Sequence, residues 1–245
     1  MEQDLSIKKE PLGKGVFVYV SKHHTFGTDA ILLADFANPK NDTAVDLGTG
    51  CGIIPLLWLR GKSVKSVLGV EISKEAADLA SSAAAEQGFR EFTVLNENLN
   101  NLNGKTEFGK YTLVTCNPPY KAPGAGIKNP NGKLAAARHE VECTLRDVVS
   151  TASRLLQTSG RFCICQRPER MAEAICLMHE YNLEPKRLRL VAQRKGKEPW
   201  LFLLEGKKCA KTGLRIAPTL YVEDSNGNFS KEMIDIYGSY KEAYL

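Results

Sequence analysis

Short apolar runs rich in β-branched residues alternate with longer segments of helical periodicity along most of the chain. The predicted strands are 44–47, 66–70, 92–95, 111–116, 161–166, 187–191 and 200–204, and the predicted helices are 53–60, 74–87, 145–156 and 170–181. Such alternation is typical of βαβ units, which build a parallel sheet with helices on both faces. Only a turn separates the last two strands, so one of them must run antiparallel. We therefore expect a doubly wound, Rossmann-like α/β fold whose seven-stranded sheet is mainly parallel, with one antiparallel edge strand.

The size and composition favour one domain. The chain has 245 residues, 43% of them hydrophobic and 25% charged, which is the usual balance of a globular protein. We expect a single domain over residues 1–245, with an N-terminal extension at 1–40 and a Rossmann-like core at 41–245. Because no apolar run reaches membrane-spanning length and the first thirty residues lack the apolar stretch of a signal peptide, we expect a cytoplasmic location.

The cysteines and histidines do not indicate a metal centre. The seven cysteines include no C-x-x-C pair, and the four histidines show no zinc-ligand spacing. Cys163 and Cys165 alternate within a predicted strand, so we expect them to pack on one face of the sheet. The sequence therefore predicts neither a disulfide nor a bound metal.

Positive charge is concentrated late in the chain. The whole chain has a net charge of +5, whereas one segment, 186–215, holds ten basic residues against the acidic Glu198 and Glu205. The ten are Lys186, Arg187, Arg189, Arg194, Lys195, Lys197, Lys207, Lys208, Lys211 and Arg215. A local excess of this kind indicates a polyanionic partner, and a solvated charged face is the alternative.

A glycine-rich turn follows the first predicted strand of the core. Its sequence, Asp46-Leu-Gly48-Thr-Gly50-Cys-Gly52, passes directly into a helix and differs from the G-x-G-x-x-G dinucleotide motif. Glycines at alternate positions allow a tight turn and leave room for a ligand against the backbone. In doubly wound sheets, ligands bind beyond the carboxyl ends of the strands, so we expect a cofactor here.

Two acidic residues indicate which cofactor binds. Glu71 ends the second core strand, where its carboxylate can accept hydrogen bonds from both ribose hydroxyls, and Asp46 is placed to bind an ammonium group. A pyrophosphate would be repelled by Asp46, whereas a nucleoside with an amino-acid tail fits both acids. The sequence thus predicts S-adenosylmethionine, with a nicotinamide cofactor or no cofactor as alternatives. After the third core strand, Asn98 is a candidate acceptor for the adenine amino group, and a surface turn is the competing interpretation.

The fourth core strand ends in Asn117-Pro118-Pro119-Tyr120. An amino nitrogen conjugated to a π-system is a poor nucleophile because its lone pair is delocalised. Hydrogen bonds from its two N–H groups to the Asn117 side-chain oxygen and the Pro118 carbonyl would direct that lone pair toward a sulfonium methyl, while Tyr120 stacks on the planar substrate. No general base is needed before attack. The motif predicts methylation of a planar amino nitrogen by positioning and electrostatic complementarity.

With both motifs in this order, the chain resembles the class I methyltransferases of the amino-methylating branch, and within them the bacterial tRNA1(Val) adenine-37 N6-methyltransferases. The resemblance runs over nearly the whole chain and is carried by segments 26–34, 46–52, 117–120, 137–140, 167–170, 184–189 and 236–238. It implies that Thr28 and Asp29 lie over the methionine end of the cofactor and Glu71 on the ribose. Asn98 stands where the family usually has aspartate.

The resemblance also implies an RNA partner, most simply tRNA. We expect phosphate contacts from Lys121 and Arg138, in and after a glycine- and proline-containing basic loop at 121–133, and from Arg194, Lys195 and Lys197. A crossover with a helix start at its end is the other interpretation of that loop. Oligomeric state is left open, with a monomer as the simplest case.

Four other functions remain alternatives. A protein glutamine amide fits the same motif, but that enzyme class usually carries an N-terminal helical domain, and about 40 residues precede the first core strand here. Guanine-N2 methylation of ribosomal RNA is another alternative, although phenylalanine often replaces Tyr120 there. DNA adenine methylation would call for an added target-recognition domain. An inactive RNA-binding module is disfavoured by the intact Asp46, Glu71 and Asn117.

Overall fold

The computed structural model describes residues 7–118, 143–238 and 240. Its strands are β1 (Lys8–Gly13), β2 (Val16–Val20), β3 (Asp42–Leu47), β4 (Val64–Glu71), β5 (Phe92–Asn96), β6 (Tyr111–Cys116), β7 (Leu156–Gln166), β8 (Leu183–Ala192), β9 (Pro199–Lys208), β10 (Arg215–Ile216) and β11 (Leu220–Tyr221). Its helices are α1 (Thr28–Ala37), α2 (Ile53–Arg60), α3 (Lys74–Glu86), α4 (Leu145–Leu155), α5 (Met171–Glu180) and α6 (Lys231–Tyr237), with short 3-10 turns at Leu99–Asn101 and Pro168–Arg170.

Seven long strands form the main sheet in the order β5-β4-β3-β6-β7-β9-β8, and the two-residue strands β10 and β11 pair with β8. The first five strands in this order are parallel to one another, and β9 is antiparallel to both of its neighbours. The predicted seven-stranded, mainly parallel Rossmann-like sheet is confirmed.

We expected the antiparallel strand at the edge of the sheet, and this prediction is wrong. Strand β9 lies between β7 and β8. Helix α5 connects β7 to β8, which does not pair with β7 directly. After a short turn, β9 runs back between these two strands and pairs antiparallel with both. A sequence shows that two such strands form a hairpin, but it does not show which of them pairs with the preceding sheet.

Helices cover both faces of the sheet. On one face, α1, α2, α3 and the β1–β2 hairpin form a buried cluster with alternate residues of the strands, including Ala44, Cys163 and Cys165. On the other face, α4 and α5 pack against the intervening positions, such as Val45 and Phe162. The doubly wound arrangement and the placement of both cysteines on one face are confirmed. The seven cysteines are free thiols.

Residues before β3 belong to the first of these clusters. Leu12, Val16 and Val18 of the hairpin are buried in it. Gln87, just after α3, bonds the backbone of Phe17 twice: its side-chain oxygen accepts from the amide at 2.8 Å, and its nitrogen donates to the carbonyl at 2.9 Å. The segment expected as an extension thus shares the hydrophobic core of the sheet.

Charged side chains join α1 to the amino end of the sheet. Arg161 of β7 donates to the carbonyl of Ala37 at 2.8 Å and pairs with Asp42 and Glu205 at 3.2 and 3.3 Å. Arg187 of β8 shares Glu205 at 3.0 Å. We call Asp42, Arg161, Arg187 and Glu205 the amino-end network. Since it holds the end of α1, the start of that helix lies at the carboxyl ends of the parallel strands.

Candidate active site

The glycine turn connects β3 to α2 in left-handed backbone conformations. The φ angles are +70° at Gly48, +55° at Gly50 and +84° at Gly52, which residues with a side chain rarely adopt. A Cβ atom on Gly48 or Gly50 would have no atom of the described residues within 4 Å, whereas on Gly52 it would meet the Ala80 Cβ and a Phe92 ring carbon at 3.0 Å. The first two glycines therefore face open space, and the third allows α2 to begin close against α3 and β5.

Glu71, the last residue of β4, holds this turn in place. Its two carboxylate oxygens accept hydrogen bonds from the backbone N–H groups of Gly50 and Ser73, both at 2.8 Å. The residue is 8% exposed. Each oxygen keeps lone-pair capacity for a further donor, because a carboxylate accepts about four hydrogen bonds. The predicted binding of ribose hydroxyls by Glu71 is compatible with this arrangement and stays a prediction.

Asp46, one residue before the end of β3, is almost fully buried at 1% exposure. Its Oδ1 accepts a hydrogen bond from the Thr115 hydroxyl of the neighbouring strand β6 at 2.7 Å. Burial raises the pKa of Asp46 to about 7, with a smaller contribution from the negative charge of Glu71, while the Thr115 bond opposes the rise. In the part of the chain that the structure describes, neither Asp46 nor Glu71 pairs with a lysine, arginine or histidine.

The segment after β5 is shaped by asparagines. The Asn96 side chain donates to the carbonyls of Glu71 and Ile72 at 2.8 and 3.0 Å, tying β5 to the end of β4. The Oδ1 of Asn98 accepts from the Asn100 amide at 2.8 Å, capping the 3-10 turn that follows. The oxygen predicted to receive the adenine amino group thus already serves the turn, and the predicted adenine contact stays a prediction.

Thr28 and Asp29 form the first turn of α1, at the same edge of the sheet as the glycine turn. The Thr28 hydroxyl is 2.9 Å from the hydroxyl of Tyr237 in α6, and Asp29 Oδ1 accepts from the Ala30 amide at 2.9 Å. Tyr237 packs against Phe229 and Tyr240, with ring centroids 5.2 and 5.5 Å apart. The C-terminal part of the chain therefore fixes the start of α1.

Asn117 and Pro118 follow directly after β6, one strand beyond the glycine turn. Asn117 is half-buried and Pro118 is buried. The Asn117 Oδ1 accepts a hydrogen bond from the thiol of Cys165 in β7, with the sulfur 3.0 Å away. Tyr120, Lys121 and Arg138, together with the whole 121–133 loop, lie outside the described residues, so their predicted roles stay predictions.

The basic turn, residues Arg194–Lys197, joins β8 to β9. Since β8 is parallel to β7, this turn lies at the same sheet edge as Asn117. Arg194, Lys195 and Lys197 are exposed, and Arg194 has one distant partner, Glu223, at 4.0 Å. The structure thus brings three of the five predicted phosphate-binding residues to the edge that carries the glycine turn.

Other basic residues of the 186–215 segment serve internal contacts. Arg187 belongs to the amino-end network, Arg189 donates to the Pro218 carbonyl and pairs with Glu232, and Lys208 donates to the carbonyls of Ser153 and Leu156. The sequence count of positive charge therefore overstates the charge available to a partner.

Three site contacts were not anticipated from the sequence. Thr115 and Cys165 lie near the ends of β6 and β7 on the face occupied by Asp46, and strand alternation gave a signal for that face. Tyr237 is far from Thr28 in sequence and gave no such signal.

Solved structures share this architecture. An Agrobacterium tumefaciens protein described as a predicted O-methyltransferase aligns over 87% of this chain and 97% of its own, with a TM-score of 0.70 and 20% identity. Geranyl diphosphate C-methyltransferase from Streptomyces coelicolor, solved with S-adenosyl-L-homocysteine, aligns over 73% and 79% with a TM-score of 0.55 and 17% identity. The fold is that of a class I methyltransferase.

The family follows from the sequence comparison. Residues 13–195 match the model described as methyltransferase small domain, so the chain belongs to that family. A curated relative from Porphyromonas gingivalis, named tRNA1(Val) (adenine(37)-N6)-methyltransferase, is 29% identical over 222 residues, 85% of each chain. One of the same name from a Flavobacteriaceae bacterium is 29% identical over 66% of this chain and 74% of its own. The predicted S-adenosylmethionine-dependent methyltransferase is confirmed.

The carboxyl edge of the sheet fits this methyl donor. Asp46 and Glu71 are buried carboxylates without a cationic partner among the described residues, and the donor carries an ammonium group and two ribose hydroxyls. Open space over Gly48 and Gly50 leaves room for it.

None of the helices in the described parts of the chain is long and apolar enough to cross a membrane.

Proposed function

We propose that this protein methylates N6 of an adenine in tRNA, of the kind found at position 37 of tRNA1(Val). The observation that carries the proposal is the placement of Asn117 and Pro118 directly after β6, beside the strand that leads into the open glycine turn. An acceptor oxygen at this point suits an amino nitrogen, which offers two N–H donors and a lone pair.

The chain's own residues account for the chemistry by positioning. Held beside Asp46 and Glu71, S-adenosylmethionine would supply a sulfonium methyl group, and its sulfur would keep the C–S electron pair as the substrate nitrogen forms the new C–N bond. Asn117 Oδ1 and the Pro118 carbonyl accept the two N–H groups, so the lone pair leaves conjugation and points away from them. One of these protons leaves for solvent once the nitrogen has become cationic. Tyr120 is proposed to stack on the adenine.

Two observations support RNA as the substrate. The relatives named above act on tRNA by their names, and one of them aligns over 85% of both chains. The exposed Arg194, Lys195 and Lys197 lie at the sheet edge that carries Asn117, where they can meet phosphates around an extruded base. A tRNA substrate also supports our expectation of a cytoplasmic enzyme, and the shared core of hairpin and sheet supports a single domain.

The proposal is tested by transfer of labelled methyl from S-adenosylmethionine to unmodified bulk tRNA, followed by nucleoside mass spectrometry. We expect N6-methyladenosine, and its absence from a transcript with guanosine in place of the mapped adenosine. Label in ribosomal guanosine, in DNA or in protein glutamine instead would replace tRNA with that substrate.

The role of Asn117 is tested separately with Asn117→Ala. Turnover should fall about a hundredfold or more, since one positioned hydrogen bond to the reacting group is lost, while S-adenosylmethionine affinity is kept. Calorimetry of cofactor binding beside single-turnover kinetics measures both quantities. Near-normal turnover would remove Asn117 from the mechanism.

A further inference from the structure

Cys165 touches the reacting edge of the motif. Strands β6 and β7 are parallel, with Cys116 paired to Ile164, and the next residues along them are Asn117 and Cys165. The Cys165 sulfur is 3.0 Å from Asn117 Oδ1. Cys165 itself is fully buried, so the thiol proton has no access to bulk water. A buried S–H beside an amide oxygen is a donor directed at an acceptor.

This contact acts on the choice between two orientations of the amide. The oxygen and nitrogen of an asparagine side chain have nearly the same shape, so packing alone discriminates weakly between them. With Oδ1 toward Cys165, the thiol donates to a strong acceptor. With the amide reversed, an N–H group would face sulfur, which is a weak acceptor. The thiol therefore favours the orientation that the structure has.

The orientation matters because an amino substrate brings donors. An amide oxygen has two lone pairs, so an oxygen that accepts a hydrogen bond from the Cys165 thiol can also accept one from a substrate N–H. A reversed amide would present its own N–H groups to the substrate N–H groups, and donors facing donors repel each other. An incorrectly oriented Asn117 would thus still fill its space but would lose its function.

We propose that Cys165 is a positioning residue, whose thiol holds the Asn117 carboxamide with its oxygen available to the amino group being methylated. This inference rests on the proposed function of Asn117 and adds a residue that does not itself touch the substrate. If the thiol acts through the amide, the effects of replacing Cys165 and Asn117 on kcat should not be additive.

Cys163 provides a matched control on the same strand. It lies two residues earlier, packs on the same face of the sheet and is equally buried. Its sulfur is 3.8 Å from Glu205 Oε2, at the amino-end network. Replacement of either cysteine by alanine removes one sulfur atom from the same hydrophobic cluster, but only one of these replacements removes the contact with Asn117.

The experiment compares Cys165→Ala, Cys165→Ser and Cys163→Ala in the full-length protein, on the RNA that it methylates. We expect Cys165→Ala to lower kcat about tenfold, as loss of one hydrogen bond does, with S-adenosylmethionine affinity within twofold. Serine, which keeps the donor, should recover most of kcat, and Cys163→Ala should stay within twofold of the unchanged protein. Equal losses in both alanine variants, or no recovery by serine in a folded variant, would overturn the proposal.

A double-mutant cycle tests whether the thiol acts through the amide. In the Asn117→Ala background, Cys165→Ala should have no further effect on kcat, because the group that it orients is absent. An undiminished further loss would show that the thiol acts elsewhere. If Asn117→Ala alone leaves turnover normal, the proposed role of Asn117 fails, and this result differs from any produced by Cys165.

A second readout does not need activity. The side-chain NH₂ signals of Asn117 in a ¹⁵N-correlated NMR spectrum report the environment of its amide. We expect them to shift or broaden in Cys165→Ala, to stay near their original positions in Cys165→Ser, and to be unchanged in Cys163→Ala. Unchanged signals in Cys165→Ala would contradict the contact whatever the substrate is.

Discussion

The two ends of the central sheet both bury charge, but in opposite ways. At the amino end, two arginines and two acids form the amino-end network, in which Glu205 is shared by Arg161 and Arg187. At the carboxyl end, Asp46 and Glu71 have only N–H and O–H donors among the described residues. The charges of the first set balance one another, whereas the second has a negative charge that a cationic ligand would balance. Carboxylates thus stabilise the fold at the amino end and can bind a ligand at the carboxyl end.

Asp46→Asn should have the largest effect and should affect binding alone. The amide keeps the acceptor for Thr115 but loses the charge that meets the donor's ammonium group. Charged hydrogen bonds contribute about 1.5–3 kcal/mol, so S-adenosylmethionine affinity should fall on the order of a hundredfold. Isothermal titration calorimetry measures this change. Unfolding at pH 8 without ligand should show equal or greater stability, and a clear loss of stability would contradict the comparison.

Glu205→Gln should show the reverse pattern. The two arginines would remain partly buried without their shared carboxylate. Breaking a buried pair costs about 3–5 kcal/mol, and the loss should lie at the lower end here because both arginines retain other acceptors. Denaturant unfolding should show this loss, with S-adenosylmethionine affinity within twofold. If cofactor affinity falls as it does in Asp46→Asn, the two ends are not independent.

The pH dependence sharpens the comparison. Because burial raises the pKa of Asp46 to about 7, the residue is charged above that pH and neutral below it. Cofactor affinity should therefore fall roughly tenfold between pH 8 and pH 6, and Asp46→Asn should remove this slope. Calorimetry across the range measures it, and a flat profile in the unchanged protein would contradict the assignment.

Stability of the ligand-free protein should follow the opposite course. The folded protein holds the Asp46 proton more tightly than the unfolded chain does, so this contribution to stability is complete below the ordinary pKa of 3.8 and is lost as the pH rises through about 7. Asp46→Asn keeps its stability over this range. The difference in Tm between the two proteins should grow from pH 5 to pH 8, and a constant difference would argue against a raised pKa.

The smallest effect is expected at the basic turn, the exposed charge beside the carboxyl end. Reversing Arg194, Lys195 and Lys197 together should flatten the dependence of tRNA affinity on salt, since each lost phosphate contact reduces the slope of log K against log salt by about 0.7–0.9. Reversing the exposed Lys40, Lys62 and Lys65, which lie at the amino end of the sheet, serves as the control. An equal change in both variants would mean that only net charge matters.

The sequence predicted the carboxyl end better than the rest of the molecule. Asp46, Glu71 and Asn117 each lie within one residue of the end of a strand, and parallel strands bring their ends to one edge, so local pattern was sufficient to place them together. Helix α1 was missed because all of its residues from Ala30 to Ala37 except Asp35 are buried, which leaves no amphipathic period to detect. The β1–β2 hairpin alternates at Val16–Val20 and was also passed over.

Contacts between distant segments could not be predicted from the sequence. Cys165 meets Asn117 only because β7 pairs with β6, and which lysines and arginines serve internal carbonyls depends on the folded neighbours of each one. The position of β9 within the sheet was equally inaccessible, since a short turn fixes only that two strands pair. Local pattern therefore located the ligand edge, and tertiary pairing decided its supporting contacts.

The contact between Thr28 and Tyr237 joins residues 209 positions apart. A ribosome makes the glycine turn and both buried acids long before it makes Tyr237. A nascent chain stopped before α6 therefore lacks the hydroxyl that secures the start of α1, however well its sheet has formed. During translation, the start of α1 is therefore secured only after a residue made much later, Tyr237, is available.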